Sequence, residues 1–163
     1  MADEKNRFVV IGGGFIGSEI AAALAMAGKQ VTMIFLEDAI GGRVFPTDLA
    51  HHLNDYYRDK GVDVITDDTV ASVQMDGDRL TVRTGSGRAI EADGVVGGIG
   101  IRPNVALAQE AGLNVENGIV VNESLQTSAP DVYAAGDAVN FFHTALGKRT
   151  RVEHEDNALA MGK

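Results

Sequence analysis

The sequence predicts an α/β fold that combines a parallel sheet with an antiparallel three-stranded meander. Arg7–Ile11 and Val31–Leu36 are short apolar runs rich in β-branched residues, which is typical of strands buried in a parallel sheet. Between them, Ser18–Ala27 contains good helix formers and is followed by Gly28, a residue typical of a helix end. A strand, a helix and a second strand in about 30 residues form the unit from which parallel sheets are built.

The later elements extend this pattern. Apolar residues recur at helical spacing from Leu49 to Tyr57, which predicts an amphipathic helix over 46–60. Asp76-Gly77 and Gly85–Gly87 are turn signals that separate three strand candidates and so predict the meander. The predicted strands are 62–65, 70–75, 80–84, 89–91, 94–100, 119–121 and 132–135, and a short helix is predicted at 105–111. With helices expected on both faces of the parallel sheet, the fold is Rossmann-like.

Composition excludes several classes of function. The chain has 163 residues and a net charge of −9, so we expect repulsion from nucleic-acid phosphates and no nucleic-acid partner. Cysteine is absent, which excludes a disulfide, a thiolate nucleophile and a thiolate-bound metal. The longest apolar run, Ile20–Ala27, is far shorter than the ~20 residues that cross a bilayer, and the first residues are polar. We therefore expect a cytoplasmic protein without a membrane partner.

The motif with the clearest chemistry is Gly12-Gly13-Gly14-Phe15-Ile16-Gly17, which matches G-x-G-x-x-G between a predicted strand and a predicted helix. Gly12 permits a tight turn, Gly14 lets a pyrophosphate approach the backbone, and Gly17 allows the helix to pack closely on the strand. The N–H groups at the helix start then face the phosphates. The alternative is a glycine-rich turn without a ligand.

An acidic residue near the end of the second strand is expected to bind the ribose hydroxyls of such a dinucleotide. The usual position holds Phe35, and the nearest carboxylate is Glu37. Arg43 follows on a glycine-containing loop and is a candidate phosphate contact. Both residues are alternatively solvated surface charges. Glu37 favours NADH because its charge repels a 2′-phosphate. Arg43 has the opposite charge, so NADPH stays an alternative cofactor.

Four segments, residues 11–21, 98–104, 132–138 and 151–154, carry a resemblance that covers almost the whole chain. They resemble, in the same order, the pyridine nucleotide–disulfide oxidoreductase superfamily. The similarity is greatest to the branch of ferredoxin and rubredoxin reductases and apoptosis-inducing factor. Apoptosis-inducing factor, within that branch, has a second strand that also leads to an aromatic-x-Glu sequence with a basic residue six positions later, as at Arg43. This similarity supports Glu37 as the ribose carboxylate.

The resemblance implies where an NAD molecule binds. Residues 12–16 hold the pyrophosphate, with Phe15 beside the nicotinamide. Gly100 lines the nicotinamide pocket, and Glu19 lies near the contact between nicotinamide and flavin. Without the resemblance, Glu19 is equally well explained as an exposed charge in the first turn of a helix.

The resemblance also implies contacts to FAD from the end of the chain. Asp137 binds the ribityl and phosphate part of FAD, and Glu153 and His154 lie where the two cofactors meet. Otherwise Asp137 belongs to a turn and His154 is a surface histidine. The expected domains are a NAD(P)-binding Rossmann domain at 1–125 and, at 126–163, the return segment of an FAD-binding domain that the sequence does not contain.

We therefore predict an NAD(H)-binding domain of an FAD-dependent NAD(P)H oxidoreductase, which passes hydride from NADH to flavin. The chain alone is expected to be a cofactor-binding fragment without catalytic residues of its own. The alternatives are a single-lobe flavoprotein that binds FAD and a non-catalytic, redox-responsive interaction module. Expected partners are the missing FAD lobe, a redox partner protein or a second copy in a domain-swapped homodimer. His51 and His52 lack ligand spacing, so we predict no metal site.

Overall fold

The structure is a computed structural model that describes residues 5–163. It contains two compact units, of which the first ends at Gly100 and the second spans Ile101–Lys163. The division between units therefore lies earlier in the chain than the predicted domain boundary after residue 125. The assignment of 126–163 to a flavin-binding domain stays a prediction.

Two sheets and two helices form the first unit over its described residues, 5–100. The parallel sheet has the strand order β3-β2-β1-β7, and β4, β5 and β6 form the antiparallel meander. The predicted fold class is confirmed. The elements are β1 (Arg7–Ile11), α1 (Phe15–Met26), β2 (Gln30–Ile34), α2 (Thr47–Asp59), β3 (Asp63–Ile65), β4 (Val70–Asp76), β5 (Arg79–Thr84), β6 (Ala89–Ala92) and β7 (Gly94–Gly97).

The two faces of the parallel sheet are covered by different kinds of element. On one face, Val10 and Met33 belong to a core that includes Ala21 of α1 and Leu53 of α2. On the other, alternate residues of the same strands pack with the meander, in a second core that contains Val82. The expectation of helices on both faces is therefore corrected for this unit. After β3 the chain enters a hairpin and not a crossover helix, so the meander covers the second face.

The second unit is smaller. Its sheet has the order β10-β9-β8, with β8 parallel to β9 and β10 antiparallel to it. A 3₁₀ turn at Thr144–Leu146 joins β9 to β10. The elements are α3 (Ala106–Glu110), β8 (Ile119–Val120), β9 (Val139–His143), β10 (Lys148–Thr150) and α4 (Glu155–Met161). No helix among residues 5–163 is both long and apolar enough to cross a membrane.

The predicted buried strand at 132–135 is wrong for this chain. Only Tyr133 makes a β-bridge there, to Gln126, and this residue is 61% exposed. The regular strand β9 begins later, at Val139, which is fully buried. An apolar run becomes a buried strand only where neighbouring strands and a covering layer are present, and this segment has one bridge partner within the described chain.

Candidate functional site

A cavity of about 580 Å³ opens at the carboxyl ends of the parallel strands, which is a volume typical of small-molecule sites. Its wall is built from the loops that follow four strands of the sheet. Ligands of open α/β sheets bind in the crevice outside the carboxyl ends of the strands, between the loops that leave the sheet there. The lining includes 11–15 at the end of β1 and beyond it, 34–37 and 39–45 at the end of β2 and beyond it, 68–70 at the start of β4, and 98–100 after β7.

The three glycines of the motif have different surroundings. Gly12 has a φ of +111°, and a Cβ there would lie 2.2 Å from the carbonyl oxygen of Gly98. A Cβ on Gly17 would lie 2.0 Å from the carbonyl oxygen of Gly12. At Gly14 a Cβ would meet no heavy atom of the described residues within 4 Å, apart from its chain neighbours. Gly12 and Gly17 are therefore required for packing, whereas Gly14 leaves open space beside the backbone.

Helix α1 begins directly after this open space. Its first residue is Phe15, earlier than the predicted start at Ser18, and its N-cap is Gly14. Within residues 5–163 no side chain caps this end, and its first turn carries no acidic residue. The first amides of a helix have no partner in the helix itself, and the helix dipole gives them a partial positive charge. The turn and the helix together are suited to bind an anionic group such as a diphosphate.

Glu37 and Arg43 lie together at the part of the cavity that follows β2. Their side chains form an ion pair, with the Glu37 side chain 24% exposed and the Arg43 side chain 78% exposed. Phe35, which occupies the usual acidic position, is buried beneath the glycine turn, where a Cβ on Gly13 would touch its ring. The carboxylate at this part of the cavity therefore belongs to Glu37, in the loop that follows β2.

The residues expected near the nicotinamide are only partly brought together. Phe15 lines the cavity, is 57% exposed and packs edge-on against Phe45, with ring centroids 5.9 Å apart. Gly100 also lines the cavity. Ile16 and Glu19 are exposed on α1 but are not part of the cavity wall. Their roles stay predictions.

Asp68 was missed by the sequence analysis, although it lines the cavity in the turn between β3 and β4. Its carboxylate accepts hydrogen bonds from the Ser86 hydroxyl at 2.5 Å and from the backbone N–H groups of Thr69 and Ser86 at 2.8 and 3.0 Å. Donation by Ser86, with further donors from Thr84 and these amides, lowers the pKa of Asp68 to about 2. The position of Asp68 in the short turn between the predicted strands 62–65 and 70–75 was the available signal.

The residues predicted to contact FAD lie in the second unit. Arg151 donates to the carbonyl oxygen of Asp137 at 2.9 Å and forms a 2.7 Å ion pair with Glu153. The Nδ1 atom of His154 accepts a hydrogen bond from the amide of Asp156 at 3.2 Å and so caps α4. His154 thus has a structural partner that the sequence analysis did not anticipate. The cofactor roles of these residues stay predictions.

No group of three or more His, Asp and Glu side chains in the described part of the chain has the arrangement of a metal site. His51 instead lies 3.2 Å from the Asp38 carboxylate, measured from its Nε2 atom.

Comparison with known families identifies this architecture. The model of the family described as "Pyridine nucleotide-disulphide oxidoreductase" matches residues 1–162. The chain belongs to this family. Membership confirms the predicted superfamily, whose description names a pyridine nucleotide and an oxidoreductase.

Named relatives are similar over nearly the whole chain. Monodehydroascorbate reductase 3 of Arabidopsis thaliana is 39% identical over 157 residues, which are 95% of this chain and 36% of the relative. A ferredoxin reductase of Rhodopseudomonas palustris superposes with a TM-score of 0.92 at 33% identity, over 98% of this chain and 40% of its own. An engineered water-forming NADPH oxidase, solved bound to NADPH, gives a TM-score of 0.91 at 29% identity, over 99% of this chain and 36% of its own. The chain thus spans well under half the length of these relatives.

Proposed function

We propose that the first unit is the NAD(H)-binding lobe of an FAD-dependent NAD(P)H oxidoreductase. The observation that carries this proposal is the open space beside Gly14 at the start of α1, inside the cavity. A diphosphate placed there accepts hydrogen bonds from the unpaired N–H groups at the start of the helix. It meets no side chain at Gly14. The proposed diphosphate site also includes Gly12, Gly13, Phe15 and Ile16.

Glu37 is proposed to select the adenosine ribose. A carboxylate accepts hydrogen bonds from ribose hydroxyls but repels a 2′-phosphate. Glu37 is the less exposed partner of its ion pair, whereas Arg43 extends into solvent. We therefore propose that NADH binds more tightly than NADPH. Arg43 is proposed to contact a phosphate and to keep some affinity for NADPH.

Bound NADH supplies a hydride and bound FAD accepts it, so the cofactors carry the redox chemistry. The residues of this chain orient and separate them. Phe15 and Gly100 are proposed to enclose the nicotinamide, with Glu19 at the nicotinamide–flavin contact. Asp137, Glu153 and His154 are proposed to contact FAD in the complete enzyme.

A separate protein is the proposed acceptor of the electrons, in a cytoplasmic enzyme. The supporting observation is the similarity to a ferredoxin reductase, whose name specifies a protein substrate. On its own, the chain is proposed to bind NAD(H) weakly and to oxidise little NADH. A domain-swapped homodimer stays part of this proposal, with the second copy supplying the exchanged segment.

The test is calorimetric titration of the purified chain with NADH, NADPH and FAD. We expect binding of NADH, weaker binding of NADPH, and no stoichiometric FAD. Replacing Gly14 with Ala should weaken NADH binding at least ~10-fold, because the new methyl group enters the proposed diphosphate position. The fold should be unchanged, since a Cβ at Gly14 has room.

Gly97→Ala is the matched control. A Cβ there also meets no described heavy atom within 4 Å, but Gly97 is not part of the cavity wall. It should leave NADH affinity unchanged. Equal affinities of the wild type and the Gly14→Ala variant would refute the diphosphate site. Stoichiometric FAD with no NADH binding would instead favour a single-lobe flavoprotein.

A further inference from the structure

The loop between β2 and α2 carries both charges that face the proposed ribose site. Glu37 stands at its start and Arg43 near its end, and the two side chains pair across it. The intervening segment 39–41 is buried, although it belongs to a connecting loop. Buried backbone N–H and C=O groups require partners, so this segment needs anchors beyond its own short turns.

Asn54 of α2 supplies such an anchor. Its side chain is buried, and the residue is 4% exposed. The amide oxygen accepts a hydrogen bond from the backbone N–H of Ile40 at 2.9 Å, and the amide nitrogen donates to the carbonyl oxygen of Asp38 at 2.9 Å. The side chain thus satisfies one donor and one acceptor of the loop. A carboxylate lacks the donor and an alkyl group lacks both, so the site is specific for an amide.

A neighbouring bond joins the same segment to the glycine turn. The backbone N–H of Gly41 donates to the carbonyl oxygen of Gly13 at 2.8 Å. At the start of the loop, the carbonyl oxygen of Glu37 accepts from the N–H of Asp67 at 3.2 Å. The loop is therefore held at its start, at its centre by Asn54 and beside the diphosphate position. Without the Asn54 bonds, the part of the loop between Glu37 and Arg43 loses these two anchors.

We propose that Asn54 is a positioning residue that sets discrimination at the ribose 2′ position by holding Glu37 opposite Arg43. This inference rests on the proposed function, because it assumes that the cavity binds a dinucleotide. A fixed Glu37 favours a 2′-hydroxyl and repels a 2′-phosphate. When the loop is free, Glu37 moves away and the exposed Arg43 becomes available to a 2′-phosphate.

The test compares two variants with a control on the same helix. Asn54→Leu removes both hydrogen bonds at similar volume, and Asn54→Asp removes only the donor. His52→Leu changes an exposed residue of α2 and serves as the control. NADH and NADPH affinities are measured by calorimetry on the full chain. We expect NADH affinity to fall about 10-fold in Asn54→Leu, with a smaller change for NADPH. The NADH to NADPH affinity ratio should therefore shrink, to an intermediate extent in Asn54→Asp, and stay unchanged in His52→Leu.

The outcomes separate this inference from the function on which it rests. A wild-type chain that binds neither nucleotide overturns both. Wild-type binding of NADH, with an unchanged affinity ratio in folded Asn54 variants, overturns the inference alone. An equal loss of NADH and NADPH affinity also overturns it, because that result indicates a general structural role. Hydrogen exchange of the wild-type Ile40 amide provides a measurement that needs no variant. Exchange as fast as that of an unprotected amide in a short peptide of the same sequence overturns the anchor.

Discussion

Replacing Gly17 with Ala tests the close contact between α1 and the turn that follows β1. The added Cβ would lie 2.0 Å from the carbonyl oxygen of Gly12, whereas ordinary contact begins near 3.4 Å. The obstacle is backbone and not a flexible side chain, so the start of α1 must move away by more than 1 Å. Such a shift also widens the turn where the diphosphate is proposed to bind.

The expected cost follows from two opposing effects. Overpacking a close contact costs about 3 kcal/mol at the upper end of its usual range, and Ala recovers up to ~1 kcal/mol relative to Gly in a helix. We therefore expect a loss of about 2 kcal/mol in the free energy of unfolding. For a chain of this size, that loss lowers the melting temperature by roughly 4–8 °C.

Thermal unfolding followed by circular dichroism measures this effect, with tyrosine fluorescence in urea as a second probe. Tyr56 and Tyr57 report on the first unit, because both lie in α2. The Gly14→Ala variant is the control, since the same methyl group has space there and should change stability little. A Gly17→Ala protein as stable as the wild type would refute the claim that α1 packs directly on this turn.

Three further predictions concern side chains around the cavity. Glu37→Ala should weaken NADH binding about 10-fold without weakening NADPH, as measured by calorimetry. The pKa of Asp68 is about 2 in the folded protein and near 3.8 ordinarily, so its ionised form stabilises the fold above about pH 4. That stabilisation is lost as the pH falls from about 4 to about 2, and urea unfolding across this range should show a weaker acid dependence in Ser86→Ala. Tyr57→Phe removes the 3.0 Å hydrogen bond to the carbonyl oxygen of Ser18 and should lower the free energy of unfolding by about 1 kcal/mol in urea titrations. Unchanged binding, unchanged acid dependence or unchanged stability, respectively, would contradict each of these.

Much of the first unit could be predicted because its signals are local. Strand β1 has the predicted bounds Arg7–Ile11, and the predicted meander is present, with turns where glycines interrupt the apolar runs. The turn after β1 was also predictable, because a positive φ at Gly12 and a close approach at Gly17 both select glycine. These choices depend on a few neighbouring residues in the chain.

Contacts between distant residues were not predictable in the same way. Nothing near Asn54 in the sequence indicates that its amide binds the backbone of residues 38 and 40. Likewise, the hydroxyl that lowers the pKa of Asp68 comes from Ser86, on a hairpin turn of the meander. The failure of the predicted strand at 132–135 has a related cause, because its burial depended on neighbours that the pattern alone does not reveal.

The sequence by itself determined the glycine turn, the alternation of strands and helices, and the resemblance that the family match confirmed. Backbone conformations permitted to glycine and the periods of apolar residues are properties of short segments, so they can be recognised from the chain alone. Only the tertiary structure decided which layer covers each face of the parallel sheet and which side chains anchor the loop of Glu37. Those outcomes depend on which distant groups pack against the apolar surfaces and which hydrogen-bond to the buried polar groups. These contacts exist only once the chain has folded.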